Sequence, residues 1–189
     1  MFAIIIGQLA GLARSILVAH LFGASPELSA FFYGNRVSET LFLLVAGGAL
    51  GSAFIPTFTG FLAPGDRLVP LTLSLLAAIA AFFAPQIVRY ALAPGFASDP
   101  VLFPLTVNLL RIQLVSAVLF GLGGLIVGIL NAHQVFLIPA LTPAMYQLGI
   151  IFGALFLSPT MGVYGLAWGV VIGAFFYLLL QLPSLFKLK

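Results

Sequence analysis

The sequence has very little charge and no cysteine. Seven basic and four acidic residues are the only formal charges among 189 residues, or 6% of the chain. Soluble domains carry about 25% charged residues, so this chain lacks the polar surface that would cover a water-soluble core. The composition excludes a soluble enzyme, a nucleic-acid-binding module and a disordered segment. The absence of cysteine excludes disulfides, thiolate chemistry and cysteine metal sites.

The sequence contains long apolar runs. Hydrophobic residues make up 62% of the chain, and no Asp, Glu, Lys or Arg occurs between Arg111 and Lys187. A spanning helix needs about 20 apolar residues, so this stretch alone predicts most of three spans. The first apolar run has no basic residue ahead of it and is interrupted by Arg14, so we expect a retained span rather than a signal peptide. The sequence predicts a polytopic membrane protein.

Turn-forming residues divide the chain into six apolar segments. We predict an all-α bundle of six transmembrane helices, forming one unit over residues 1–189, because backbone in lipid must satisfy its own hydrogen bonds. The predicted spans are 1–22, 28–62, 69–92, 101–130, 136–157 and 161–186. Arg67 in the second loop and the lysines of the C-terminal tail predict that both termini are cytoplasmic. Candidate kinks lie at three prolines: Pro85, Pro139 and Pro143.

Glycines spaced by four residues predict close helix packing. The pairs and the triplet are Gly7/Gly11, Gly47/Gly51, Gly124/Gly128, Gly149/Gly153 and Gly165/Gly169/Gly173. Packing within this chain is the favoured interpretation. The alternative is that some of these faces bind a second subunit or a missing half.

Ionisable side chains inside spans are costly and usually face a bundle interior or a wet cavity. Arg36 and Glu39 share one helix face, so they either pair or line a cavity. Arg14 has no acidic residue within one turn, so it requires a partner from another helix, a water-filled cavity or an anionic ligand. Arg111 either contributes to the same site or extends to the membrane interface. Three arginines against one carboxylate predict a positive cavity, which suits an anionic head group on a lipid tail.

No catalytic constellation accompanies these charges. Glu39 and the two histidines are far apart in sequence, and paired carboxylates for acid–base chemistry are missing. The acids and histidines do not suggest the three or four ligands of a metal site. We therefore expect neither enzymatic activity, nor a metal, nor a cofactor, nor a nucleic-acid partner.

Several short stretches resemble, in order and spacing, the MurJ (MviN) family of lipid II flippases, in the multidrug/oligosaccharidyl-lipid/polysaccharide exporter superfamily. The stretches are Gly11-Leu12-Ala13-Arg14, Ala19-His20-Leu21-Phe22-Gly23-Ala24, Ala30-Phe31-Phe32, Gly48-Ala49-Leu50-Gly51-Ser52-Ala53-Phe54-Ile55-Pro56, Ala93-Pro94-Gly95-Phe96, Gly128-Ile129-Leu130-Asn131-Ala132 with Phe136, Pro139 and Pro143, and Gln181-Leu182-Pro183. The resemblance covers nearly the whole chain and is to the N-terminal part of the family.

The resemblance implies one lobe of a two-lobe flippase in the bacterial cytoplasmic (inner) membrane. Its partners would be membrane lipid, a polyprenyl-pyrophosphate-linked saccharide of the lipid II type, and a C-terminal lobe or second subunit. The two lobes would work by alternating access around a cationic cavity. Arg14 falls on a position thought to contact pyrophosphate, and Arg36 falls on a position that is basic in familiar members.

The sequence also departs from the family pattern. Gln8 and Phe42 stand where arginine is usual, Gly47 stands where an acidic residue is usual, and Ser15 and Ser29 stand where aspartate is usual. Two alternatives to lipid II transport therefore stay open. The chain could belong to an exporter of another substrate, either a polysaccharide precursor or a cationic drug that Glu39 would bind. It could also be a non-transporting scaffold of envelope synthesis.

Overall fold

The protein is predominantly helical in the part described by the computed structural model, residues 2–46 and 68–187. The helices are α1 (Phe2–Phe22), α2 (Pro26–Ala46), α3 (Leu68–Phe82), α4 (Ala84–Ile87), α5 (Leu102–Ala132), α6 (Leu137–Phe152), α7 (Ser158–Met161) and α8 (Val163–Phe186). Two π-helical segments extend α4 and α6, over Val88–Leu92 and Gly153–Leu157, and a 3-10 turn covers Pro94–Phe96. No strand occurs in these two ranges, so the all-α prediction is confirmed.

Four helical stretches are long and apolar enough to cross a membrane. They are Ile5–Phe22, Leu102–Ala132, Leu137–Met161 and Val163–Phe186, and a bent pair over Ser74–Phe82 and Ala84–Leu92 makes a fifth. The second predicted span, 28–62, is described only as far as Ala46. The count of six spans therefore stays a prediction.

The described helices pack as a series of neighbouring pairs. Among the described helices, α1 packs on α6, α6 on α8, α8 on α5 and α5 on α2, while α3 packs on the outside of α5. Three aromatic rings pack together where α5, α6 and α8 meet. The Phe120 ring meets the rings of Tyr146 and Tyr177 edge to face, at centroid distances of 5.2 and 5.4 Å. The first two helices therefore each pack mainly on a different neighbour, α1 on α6 and α2 on α5.

The glycine spacing produces a backbone seam between α6 and α8. A Cβ atom on Gly149 would overlap the backbone of Gly173, and one on Gly153 would overlap the carbonyl of Gly165. A Cβ atom on Gly169 would lie 2.8 Å from the carbonyl oxygen of Gly149. Packing within the chain is therefore confirmed for these five glycines. The pair Gly47/Gly51 lies outside the described residues.

The third predicted span is two helices instead of one. The axes of α3 and of the segment Ala84–Leu92 differ by 68° across Phe83. Pro85 follows immediately, at the start of α4, so one of the predicted kinks is a break. The fifth span also ends later than expected. The chain continues helically through Ser158–Met161 and reverses at Gly162, whose φ is +58°.

Candidate functional site: a cleft between the first two helices

A short turn joins α1 to α2, and the two helices then separate onto different neighbours. Gly23 takes a left-handed φ of +58°, and Ser25 Oγ accepts a hydrogen bond from the Leu28 N–H at 3.2 Å, which caps the start of α2. The cleft between the helices begins at a pocket of about 110 Å³. The pocket is lined by Arg14, Ser15, Val18, Ala19, Leu28, Phe31, Phe32 and Ile150.

Arg14 is the one charged side chain in this lining. It is half-buried, and it makes no hydrogen bond or ion pair with any described residue. A guanidinium has five N–H donors and stays protonated at any accessible pH. The cleft therefore holds a cation whose hydrogen-bonding capacity the described part of the protein leaves unused.

Buried polar side chains lie one helical turn from the pocket lining, since Asn35 follows Phe31 on α2 and Tyr146 precedes Ile150 on α6. The Asn35 amide of α2 donates a hydrogen bond to the Tyr146 hydroxyl of α6 at 3.3 Å. Glu39 follows Asn35 by four residues on α2, so the two side chains lie on the same face of that helix. Gln147 lies against Gly11 of α1, one turn from Arg14. The side-chain oxygens Asn35 Oδ1 and Gln147 Oε1 are buried without a hydrogen-bond partner.

Arg36 and Glu39 do not pair with each other. They lie three residues apart on α2, but no ion pair joins them in the described structure. Arg36 is exposed and Glu39 is half-buried. The pairing within α2 is therefore absent from the described structure, and the cavity-lining role of the two residues stays a prediction.

Arg111 lies apart from the cleft. Its Nε donates a hydrogen bond to the carbonyl oxygen of Ala81 at 3.1 Å, and Ala81 belongs to α3, which contributes nothing to the pocket at Arg14. Of the four predicted site residues, Arg14 alone lines the pocket. Three polar residues near the pocket were not singled out from the sequence: Asn35, Tyr146 and Gln147.

The structure describes the side chains of three of the five departures from the family pattern. Gln8 is exposed on α1. The hydroxyl of Ser15 donates to the carbonyl of Gly11 at 2.9 Å, and that of Ser29 donates to the carbonyl of Ser25 at 3.3 Å. Both serines therefore satisfy their hydroxyls on their own helix. The Phe42 side chain and Gly47 lie outside the described residues.

No metal site accompanies these residues. Across 2–46 and 68–187, no group of three or more histidine, aspartate or glutamate side chains is placed to hold an ion.

Comparison with known proteins shows the family of this chain. A family model described as "Lipid II flippase MurJ" matches residues 18–189. The chain belongs to the MurJ family. It is 34% identical to the probable lipid II flippase MurJ of Buchnera aphidicola over 98% of this chain and 39% of that protein. It is 32% identical to the lipid II flippase MurJ of Burkholderia cenocepacia over 97% of this chain and 38% of that protein.

A solved structure shows the same fold. The structure of a lipid II flippase MurJ in an inward closed conformation superposes with a TM-score of 0.82 at 28% identity, over 98% of this chain and 41% of that one. The chain thus spans about two fifths of the length of its MurJ relatives. MurJ proteins are named as flippases, so the family is one of membrane transporters rather than catalysts.

Proposed function

We propose that this chain is the N-terminal lobe of a lipid II flippase. It would move a polyprenyl-pyrophosphate-linked saccharide across the bacterial cytoplasmic membrane by alternating access with a second lobe. The observation that carries the proposal is Arg14, a half-buried cation in the α1–α2 cleft with no described protein partner. Membership of the MurJ family supports it.

Arg14 is suited to the diphosphate of such a lipid. Its planar guanidinium can donate two parallel hydrogen bonds to one phosphate, and this geometry adds specificity as well as energy. The apolar residues around it reduce competition from water and so strengthen the contact. Lysine would place a charge there without the paired donors.

The other polar groups of the cleft would serve the same ligand. Arg36 would be a second cationic contact, and Glu39 would orient it or accept a hydrogen bond from a sugar hydroxyl. Arg111 is left out of this set because its Nε is engaged by Ala81.

A second lobe is the required partner. An alternating-access transporter rocks two lobes or repeats about a site between them, and this chain spans 39% of the length of a MurJ relative. The orientation proposed for the lobe has both termini in the cytoplasm, which the basic second loop and C-terminal tail support.

The test is Arg14→Ala and Arg14→Lys in the complete transporter that carries this lobe. Losing a charge-assisted contact to phosphate costs about 1.5–3 kcal/mol, so we expect about a 10- to 100-fold loss of precursor translocation by Arg14→Ala. Arg14→Lys should recover only part of it. Arg89→Ala is the matched control, because Arg89 is an exposed arginine that lies over the Phe103 ring, 5.3 Å from its centroid, and does not line the pocket.

Unchanged translocation by Arg14→Ala would overturn the proposal. Binding of an organic cation that Glu39→Gln abolishes would then support the exporter. Stable complexes with envelope-synthesis proteins, without transport, would support the scaffold.

A further inference from the structure

The break in the third span leaves the backbone carbonyl of Ala81 without its helical donor. In a continuous helix the carbonyl of Ala81 would accept a hydrogen bond from the N–H of residue 85. Residue 85 is proline, which has no N–H. A carbonyl left unpaired within a membrane costs several kcal/mol.

Arg111 supplies the missing hydrogen bond from another helix. Its Nε donates to the Ala81 carbonyl at 3.1 Å. Arg111 lies well inside α5, about 14 Å along the helix axis from Leu102, rather than at a helix end. Charged residues at such positions are commonly paired with backbone carbonyls. The C-terminal end of α3 also carries a partial negative charge that favours a cation.

The bend at this junction directs the second half of the span onto α5. Beyond the break, Ala84 and Val88 are fully buried, and they form an apolar cluster with Val107, Leu110 and Leu114 of α5. A straight continuation of α3 would carry both residues away from that surface. The bent form therefore has two supports, one hydrogen bond at the break and one apolar contact beyond it.

We propose that Arg111 is a structural clamp that holds the third span in its broken form by replacing the donor that Pro85 lacks. The guanidinium and the carbonyl satisfy each other's hydrogen bonding, and either group would be costly to leave unpaired within the membrane. Arg111 thus acts on the shape of the protein. The inference does not depend on the proposed transport function.

Spin labels across the break give a direct readout, because the chain has no cysteine to remove. Leu71 and Tyr90 are both well exposed, on either side of Phe83, so Leu71→Cys and Tyr90→Cys can be labelled in the full chain in nanodiscs. Straightening the 68° bend would lengthen the distance between these helical positions by about 4 Å. We expect Arg111→Met to lengthen and broaden the label–label distance distribution and to lower the unfolding midpoint by several degrees. An unchanged distribution would overturn the proposal.

Pro85→Ala separates this clamp from a general loss of packing. Alanine restores the N–H that Ala81 requires, so Arg111→Met should lower the unfolding midpoint less than half as much in the Pro85→Ala background. Arg89→Met is the control, because Arg89 stacks on Phe103 and its effect should be equal in both backgrounds. An equal effect of Arg111→Met in both backgrounds would also overturn the proposal. If Pro85→Ala does not fold, the distance distribution of Arg111→Met decides alone.

Discussion

The α6–α8 seam is formed by backbone contacts between glycines, whereas the α1–α2 cleft is lined by side chains. In the seam, five glycines bring two backbones into direct contact and leave no space for a Cβ atom. In the cleft, the two helices pack on different neighbours, and the side chains between them include Arg14 and Asn35 with unused hydrogen-bonding groups. The two helices of the seam are therefore held rigidly against each other. The cleft instead keeps hydrogen-bonding groups that no described residue uses.

The same glycine spacing occurs in both regions but with different consequences. Gly7 and Gly11 place α1 on α6, yet a Cβ atom on Gly7 would lie 3.7 Å from Pro143, which is ordinary contact. One on Gly11 would meet only the side chain of Gln147, at 3.4 Å. The helix that carries Arg14 is therefore held by side chains, and the α6–α8 pair by backbone. The contrast is open to test by one substitution made in each region.

The largest effect is expected in the seam. Gly173→Ala would place a Cβ atom 2.6 Å from the carbonyl oxygen of Tyr146, so α6 and α8 would have to separate. Overpacking of this kind costs about 1–3 kcal/mol and occasionally more. We expect a clear fall in the unfolding midpoint of the purified chain in detergent. Gly95→Ala is the control, because nothing lies within 4 Å of its Cβ position; a midpoint for Gly173→Ala equal to that of Gly95→Ala would contradict the seam.

A smaller effect, without loss of stability, is expected at the cleft. Gly11→Ala meets the flexible end of Gln147, which can move by a few tenths of an ångström. Alanine also gains about 1 kcal/mol of helix propensity over glycine. We therefore expect the unfolding midpoint to stay equal or rise, in contrast to the same substitution at Gly173. A loss as large as that of Gly173→Ala would show that α1 is held as tightly as α8.

The sequence predicted the seam better than the cleft, for physical reasons. Glycine spacing depends on helix periodicity alone, and a lone arginine in an apolar span is visible without a structure, so Gly149 and Arg14 could be singled out. The Asn35–Tyr146 hydrogen bond joins residues 111 positions apart, and nothing local marks them as partners. Arg111 was recognised as a charge within a predicted span, but its partner is a backbone carbonyl, which any residue possesses. Only the break before Pro85 makes that carbonyl available.

The smallest effect is expected at a cap that belongs to neither region. Asp99 lies in the loop before α5, and its Oδ1 accepts hydrogen bonds from the N–H groups of Val101 and Leu102, both at 2.8 Å. The bonds from Leu102 and Val101 lower the pKa of Asp99 below its ordinary value. The folded state therefore gains stability from this carboxylate above the ordinary pKa, near pH 4, and loses it as the pH falls through the lower, folded value.

Asp99→Asn removes this titration while retaining a side-chain oxygen for the cap. We expect the wild-type chain to be slightly more stable than the variant at neutral pH, because a charged acceptor also interacts favourably with the start of α5. The difference between their unfolding midpoints should shrink as the pH is lowered below about 4, since the wild-type carboxylate is then protonated. Because Asp99 touches neither the seam nor the cleft, this shift should be the same in the Gly173→Ala and Gly11→Ala backgrounds. A shift that depended on either background would mean that α5 transmits the state of its cap into the core, and that the two regions are not independent.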